Sequence, residues 1–174
     1  AAWVYNPGTI AAESCLLDFW SDDTHHAHLS LNHNKNICLT LRDGDHTYTI
    51  DAGTLAEGWH HVALAIDAEA IAIYVDAEER GRDTNIPVRL TDIRPVCNYI
   101  GRAPTQEVPL MNGAIDDLRI YNHALTRTDI EQLMNQAGNT PENEGSWSMP
   151  TVPGKALGSI TSTEAVYLYN VDAD

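Results

Sequence analysis

Apolar and polar residues alternate with a period of two along much of this chain. Residues 26–32 (HAHLSLN) and 36–42 (NICLTLR) follow this pattern, and residues 46–51 (HTYTID) continue it after the turn-forming residues 43–45. Because successive side chains of a strand point to opposite faces of its sheet, the pattern predicts three β-strands joined by tight turns.

Two further segments are apolar at most of their positions. Residues 59–67 (WHHVALAID) and 70–76 (AIAIYVD) are separated by two residues, which is typical of a hairpin of buried strands. Strand-like segments also lie at residues 1–5, 97–102 and 113–122. Strands that recur at intervals of about 8 to 12 residues, with turns between them, favour a β-sandwich or barrel. We therefore predict an all-β fold, an antiparallel β-sandwich.

A single segment has helical periodicity. An apolar stripe with helical spacing runs from Ile130 to Ala137. Thr126 is the candidate N-cap, Asp129 takes the capping-box position three residues later, and Gly138 is expected to end the helix. We expect this helix to pack across one end of the sandwich.

The composition changes after the helix and indicates the domain boundaries. Residues 1–138 form the predicted sandwich domain. Residues 139–158 are rich in Pro, Gly, Asn, Glu and Ser, and they predict a linker or extended loop. Residues 159–174 are again strand-like, and they predict either an added edge strand or the start of a further domain. Since the chain opens and closes within strand-like segments, we expect it to be part of a longer protein.

Charge and hydropathy exclude several classes of function. The chain has 10 basic and 25 acidic residues, a formal net charge of −15. Such an acidic surface repels phosphate backbones and anionic lipid, so we expect no nucleic-acid partner. It contains no apolar run of about 18 residues, so we also expect no membrane insertion.

The three cysteines, Cys15, Cys38 and Cys97, lie in apolar or alternating segments. Their wide spacing matches no zinc-ribbon or CxxC pattern. Buried free thiols in strands are the favoured interpretation, and one disulfide plus a free thiol is the alternative.

Four motifs occur in an order typical of one known family. They are WHHVALAID followed by AIAIYVD at residues 59–76, YIGR at 99–102, NGAIDDLRIYNHALT at 112–126 and AAWVYNPG at 1–8. Together they resemble the laminin-G-like domains of the concanavalin A-like lectin/glucanase group, which are jelly rolls. The chain departs from the family at Ala77, where glycine is common. The family's first strand is also absent, so either it lies upstream or residues 166–174 replace it.

The resemblance implies a ligand and a location. Domains of this family bind glycans or proteins, and many belong to larger extracellular or cell-surface proteins. The segment STEAVYLYNVDAD at residues 162–174 resembles the start of modules in secreted multidomain proteins of gut Bacteroidetes. We therefore expect an extracellular or cell-surface location, with the periplasm as the alternative.

The sequence lacks the catalytic motif of the related glucanases. Those enzymes resemble one another in a strand motif Glu-x-Asp-x-x-Glu, whose two glutamates act about 5 Å apart in a retaining mechanism. The nearest acidic groups here begin at Asp67 and Asp76, and Ala65 and Tyr74 stand where the first glutamate is needed. We predict that this chain is not an enzyme, although a glycoside hydrolase elsewhere in the full-length protein stays open.

A first candidate metal ligand is Asp116. In a continuous strand over residues 113–122 it shares a face with Leu118 and Ile120, so it would point into the core. A buried carboxylate needs a cation or several hydrogen bonds. The resemblance implies a structural Ca²⁺ at about this place. The alternative is that Asp116 caps backbone amides or pairs with Arg102 or Arg119.

The histidines supply a second candidate metal site. His26 and His28 share one strand face, a geometry suited to Zn²⁺ or Ni²⁺, and Asp22, Asp23 or His33 would complete it. A polar strand face exposed to solvent is the alternative interpretation.

Candidate ligand-binding residues fall into two polar groups. Glycan sites combine aromatic platforms with polar side chains that hold hydroxyl groups. The candidates are Trp20 with Asp22, Asp23 and His25 of the polar loop that follows it, and Arg80, Arg82 and Asn85 in another loop. We favour a non-catalytic binding module for carbohydrate. A protein-binding adhesion domain and an ancillary domain of a glycoside hydrolase are the alternatives.

Overall fold

The computed structural model describes residues 1–10, 13–86, 88, 90–104 and 110–135. Within that part of the chain, ten strands and two short helices are present. The strands are β1 Ala2–Asn6, β2 Ser14–Asp22, β3 His25–Leu31, β4 Asn36–Asp43, β5 His46–Thr54, β6 Gly58–Ile66, β7 Ile71–Val75, β8 Glu78–Asp83, β9 Cys97–Ile100 and β10 Ala114–Asp116. The helices are α1 Leu90–Ile93 and α2 Arg127–Met134.

The strands form two antiparallel five-stranded sheets, which confirms the predicted β-sandwich. We call the sheet with strand order β5-β4-β3-β2-β9 the front sheet, and the sheet with order β10-β1-β6-β7-β8 the back sheet. The three strand pairs predicted from short turns are present: β3 pairs with β4, β4 with β5, and β6 with β7. The β6–β7 pair is the hairpin predicted from the two apolar segments, and we call it the second hairpin. Asp67 closes the second hairpin, because its side chain accepts hydrogen bonds from the amides of Glu69 and Ala70.

The core lies between the two sheets. Alternate residues of each strand point inward, and the largest fully buried side chains include Leu31, Leu39 and Leu41 of the front sheet and Ile71 and Ile73 of the back sheet. The residues between these inward-pointing positions therefore lie on the outer face of each sheet.

Helix α2 begins as its sequence predicts but packs in a different place. Thr126 and Asp129 form a reciprocal capping box. Ile130 is fully buried and joins Ala63, Ala72 and Tyr74, which lie on the outer face of the back sheet. The expectation that the helix lies across one end of the sandwich was therefore wrong. The predicted helix end at Gly138, the linker and the last strand lie outside the described residues.

The strand predicted over residues 113–122 is much shorter than expected. It ends at Asp116, because Asp117 adopts a left-handed backbone conformation with φ of 48°. The alternation of faces therefore stops there, and Ile120 is 71% exposed rather than buried. Asp116 is exposed as well, so the prediction that it points into the core was wrong.

Two smaller expectations also changed. Residues 78–83, expected in a loop, form strand β8 at the edge of the back sheet. The three cysteines are free thiols: Cys15 and Cys38 are buried as predicted, and Cys97 is half-buried. Neither described helix has the length and apolar character needed to cross a bilayer.

Candidate functional site

The front sheet carries a polar outer face. Residues directly opposite each other in an antiparallel pair share a face, so the strand register defines rows of neighbouring side chains. One row reads Tyr99, Asp18, His28, Thr40 and Thr49, and the next reads Cys97, Trp20, His26, Arg42 and Thr47. We call these ten residues the polar face. The outer face of the back sheet, in contrast, packs against α2.

The aromatic side chains of the polar face lie at its β9 side. Trp20 on β2 and Tyr99 on β9 are diagonal neighbours, and both are half-buried. The guanidinium carbon of Arg102 lies 5.3 Å from the centre of the Tyr99 ring, which is a cation–π distance. A stacking surface therefore adjoins hydroxyl, imidazole and guanidinium groups, the combination that binds sugar rings.

A buried pair lies at the centre of the polar face. Nδ1 of His28 is 3.0 Å from Oδ2 of Asp18, and the two residues are only 8% and 3% exposed. Nε2 of His28 lies 3.5 Å from Oε1 of Glu13, which also accepts a hydrogen bond of 2.6 Å from Ser30. A carboxylate therefore lies at each of the two ring nitrogens of His28.

This environment shifts the pKa values of His28, Glu13 and Cys15. Burial alone lowers the pKa of His28, but hydrogen bonds to Asp18, Cys15 and Glu13 outweigh burial and raise it well above its ordinary value. The hydrogen bond to His28 lowers the pKa of Glu13, and burial raises the pKa of the Cys15 thiol. His28 is therefore held as an imidazolium between two carboxylates.

A β-bulge explains why the sequence pattern missed Asp18 and Cys15. Cys15 pairs with Ser30, whereas Leu17 pairs with Leu29, so Leu16 is an extra residue in β2. Strict alternation would place residues three apart on opposite faces. The bulge brings Cys15 to the face that holds Asp18. A polar Asp18 within the apolar run SCLLDFW was the available signal.

The first predicted ligand group stays together at one end of the polar face. Trp20 lies near the end of β2, and a tight turn joins Asp22 to His25. Asp22 Oδ1 accepts hydrogen bonds from the amide and hydroxyl of Thr24, and it lies 2.9 Å from Nδ1 of His25. These bonds hold the pKa of the Asp22 carboxyl well below its usual range. Asp23 is exposed in the same turn.

The second predicted ligand group lies on the other sheet. Arg80 and Arg82 belong to β8, the edge strand of the back sheet, and Asn85 follows it. Arg80 donates to the carbonyl of Thr54, and Arg82 lies 3.3 Å from Glu79. The structure therefore divides the predicted ligand residues between two sheets instead of joining them in one site.

The structure also places the predicted metal ligands differently from what the sequence led us to expect. Asp116 is exposed, and its Oδ1 accepts a hydrogen bond from the amide of Asp117. The argument from burial for Ca²⁺ is thereby removed, and the calcium expectation rests on the family resemblance alone. Of the predicted histidine pair, His28 groups with Cys15 and Asp18 rather than with His26, Asp22, Asp23 or His33.

Comparisons with known proteins agree with this architecture. A family model described as the concanavalin A-like lectin/glucanases superfamily matches residues 1–131. The solved structures of Ruminococcus gnavus IT-sialidase CBM40 are similar. The form bound to alpha2,3 sialyllactose has a TM-score of 0.62 at 19% identity, over 75% of this chain and 78% of that one. The form bound to alpha2,6 sialyllactose has a TM-score of 0.61 at 19% identity over the same shares. A search of the curated proteins found no match. At these identities the similar structures establish the fold alone.

Proposed function

This chain belongs to the concanavalin A-like lectin/glucanase superfamily, and from that premise we propose that it is a non-catalytic carbohydrate-binding module. The ligand site is the polar face of the front sheet. One observation supports this proposal most: Trp20 and Tyr99 lie on the same outer face as the hydroxyl, imidazole and guanidinium groups of the polar face. We further propose that the module acts within a larger extracellular or cell-surface protein.

The arrangement can hold a sugar without a chemical step. Trp20 offers an apolar ring surface, while Thr40, Thr47 and Thr49 offer hydroxyl groups along the neighbouring strands. Arg42 offers a cationic donor in the same row as Trp20, which suits an acidic sugar. The similar CBM40 structures hold sialyllactose, which supports a glycan ligand and makes sialylated glycans the first class to test.

A glycan array with the full chain tests the proposal. We expect binding to sialylated or neutral glycans that drops at least tenfold in Trp20→Ala and is largely retained in Trp20→Phe. Arg82→Ala on the back sheet is the control, because it removes a predicted ligand residue outside the polar face. Binding lost in Arg82→Ala but kept in Trp20→Ala would move the site to β8 and contradict the proposal.

A protein ligand is the second candidate, and one observation favours it. A cavity of about 380 Å³ opens between the sheets, lined by Leu17, Phe19, Leu64 and Ile66 and bordered by the exposed Ile120. Exposed apolar surface of this kind is typical of protein contacts. An array without hits, together with a captured protein that Ile120→Asp releases, would favour this function over glycan binding.

A further inference from the structure

Three potential metal ligands lie close together on the outer face of the front sheet, where β2 pairs with β3. A donor atom of each of Cys15, Asp18 and His28 lies within 4.8 Å of the others. Thiolate, carboxylate and imidazole are the ligand types that Zn²⁺ accepts in proteins. Among the residues that the structure describes, these three form the one group of His, Cys, Asp or Glu side chains that lies close enough together to share a metal ion.

The site is closed. Cys15 is fully buried, Asp18 is 3% exposed and His28 is 8% exposed. Strands β2 and β3 supply all three residues, and the bulge at Leu16 places Cys15 beside the other two. Low exposure and a position on two paired strands hold the three side chains in place and keep bulk solvent from the ligand atoms.

An unpaired oxygen provides independent support. Asp18 Oδ2 bonds His28, but Asp18 Oδ1 is buried and has no hydrogen-bond partner among the described residues. Leaving a charged oxygen buried and unpaired costs free energy, so native structures rarely do so without an unseen water or ion. A metal ion coordinated at this carboxylate would satisfy it.

We propose that Cys15, Asp18 and His28 form a buried zinc-binding site that ties β2 to β3. Glu13 lies on the other side of the imidazole, with Oε1 3.5 Å from Nε2 of His28, and would hold the ring through the nitrogen that faces away from the ion. A thiolate, a carboxylate and a neutral imidazole would then bind the divalent cation.

Metal binding must displace protons. The Cys15 thiol and the His28 imidazolium both have to deprotonate before they can act as ligands, and each released proton makes the affinity about tenfold higher per pH unit.

Cobalt titration of the full chain tests the proposal directly. Co²⁺ replaces Zn²⁺ in such sites, and its bond to a thiolate gives a charge-transfer band in the near ultraviolet. After dialysis against EDTA, we expect Co²⁺ to produce this band and Zn²⁺ to abolish it by competition. The double variant Cys38→Ser/Cys97→Ser leaves Cys15 as the sole thiol, and we expect it to keep the band.

Two further variants complete the test. Cys15→Ser should lose the band, and Glu13→Gln, which alters a half-exposed side chain, should weaken Co²⁺ binding while the protein stays folded. A band that is absent in the wild type, or lost in the double variant, would overturn the proposal. Metal bound without the band would come from surface histidines and would overturn it too. None of these outcomes depends on glycan binding, so the two proposals fail separately.

Discussion

The buried pair between Asp18 and His28 should matter far more for stability than an ion pair of the same length at the surface. The perturbation is Asp18→Asn, which keeps the shape of the side chain and removes its charge. His28 is 8% exposed and lies 3.0 Å from Asp18. The matched control is Asp22→Asn, since Asp22 lies 2.9 Å from His25 but is itself exposed, and His25 is only half-buried.

The magnitude follows from burial. At 3.0 Å and an effective dielectric constant near 20, the attraction between unit charges is about 5 kcal/mol. Desolvation of both groups offsets much of that attraction, so the intact pair adds little net stability. Removing one partner is different, because the buried imidazolium then loses the nearer and more buried of its two carboxylate partners. We expect Asp18→Asn to lower the free energy of unfolding by about 3 kcal/mol. Pairs at the surface contribute little, so Asp22→Asn should lower it far less than Asp18→Asn does.

Urea unfolding at pH 6 measures both variants. The buffer contains EDTA, so that no bound metal contributes, and the slope of unfolding free energy against urea confirms that each variant unfolds as one unit. The double variant Asp18→Asn/His28→Gln should recover part of the loss, because it removes both charges. Equal effects of Asp18→Asn and Asp22→Asn would refute the reasoning that burial controls the energy of this pair.

Three other predictions follow from the fold. Between pH 6.5 and about 8.5 the free energy of unfolding should fall by up to about 1.4 kcal/mol per pH unit, because unfolded His28 loses its proton while folded His28, with its raised pKa, keeps it. Urea titrations of His28→Gln should show this slope flattened, and an unchanged slope would assign it to another group. Ile130→Ala should cost about 3 kcal/mol in the same assay, since Ile130 is fully buried between α2 and the back sheet, and a cost below about 1 kcal/mol would contradict that packing. Asp116→Ala should leave the melting midpoint of the metal-free protein nearly unchanged, because Asp116 is exposed. If the Ca²⁺ ion implied by the family binds at Asp116, added Ca²⁺ should raise the midpoint of the wild type. A rise that persists in the variant would place the Ca²⁺ ion elsewhere.

The local sequence predicted most of the strands and the start of the helix. Alternation identified β3, β4 and β5, and continuous apolar runs identified β6 and β7. Thr126 and Asp129 identified the first turn of α2, because a capping box depends on residues only three apart. The motifs then indicated the family, whose model covers residues 1–131.

The period-two pattern assigned the wrong face to Asp116 and carried no information about Cys15, because the backbone departs from a regular strand at both places. The bulge at Leu16 placed Cys15 on the face of Asp18, and the left-handed conformation of Asp117 ended β10 so that Asp116 became exposed. A period-two pattern assumes a regular strand, and neither feature can be read from that pattern.

The sequence by itself determined the strand pattern, the acidic surface and the helix cap, because each depends on composition or on neighbours within a few positions. Only the tertiary structure decided which outer face α2 covers, that Trp20 and Tyr99 are diagonal neighbours on β2 and β9, and that Arg82 lies on the opposite sheet. These depend on pairing between strands far apart in the chain, such as β2 with β9 and β1 with β10. Register between distant strands is set by the packing of the whole core, so no local pattern contains it.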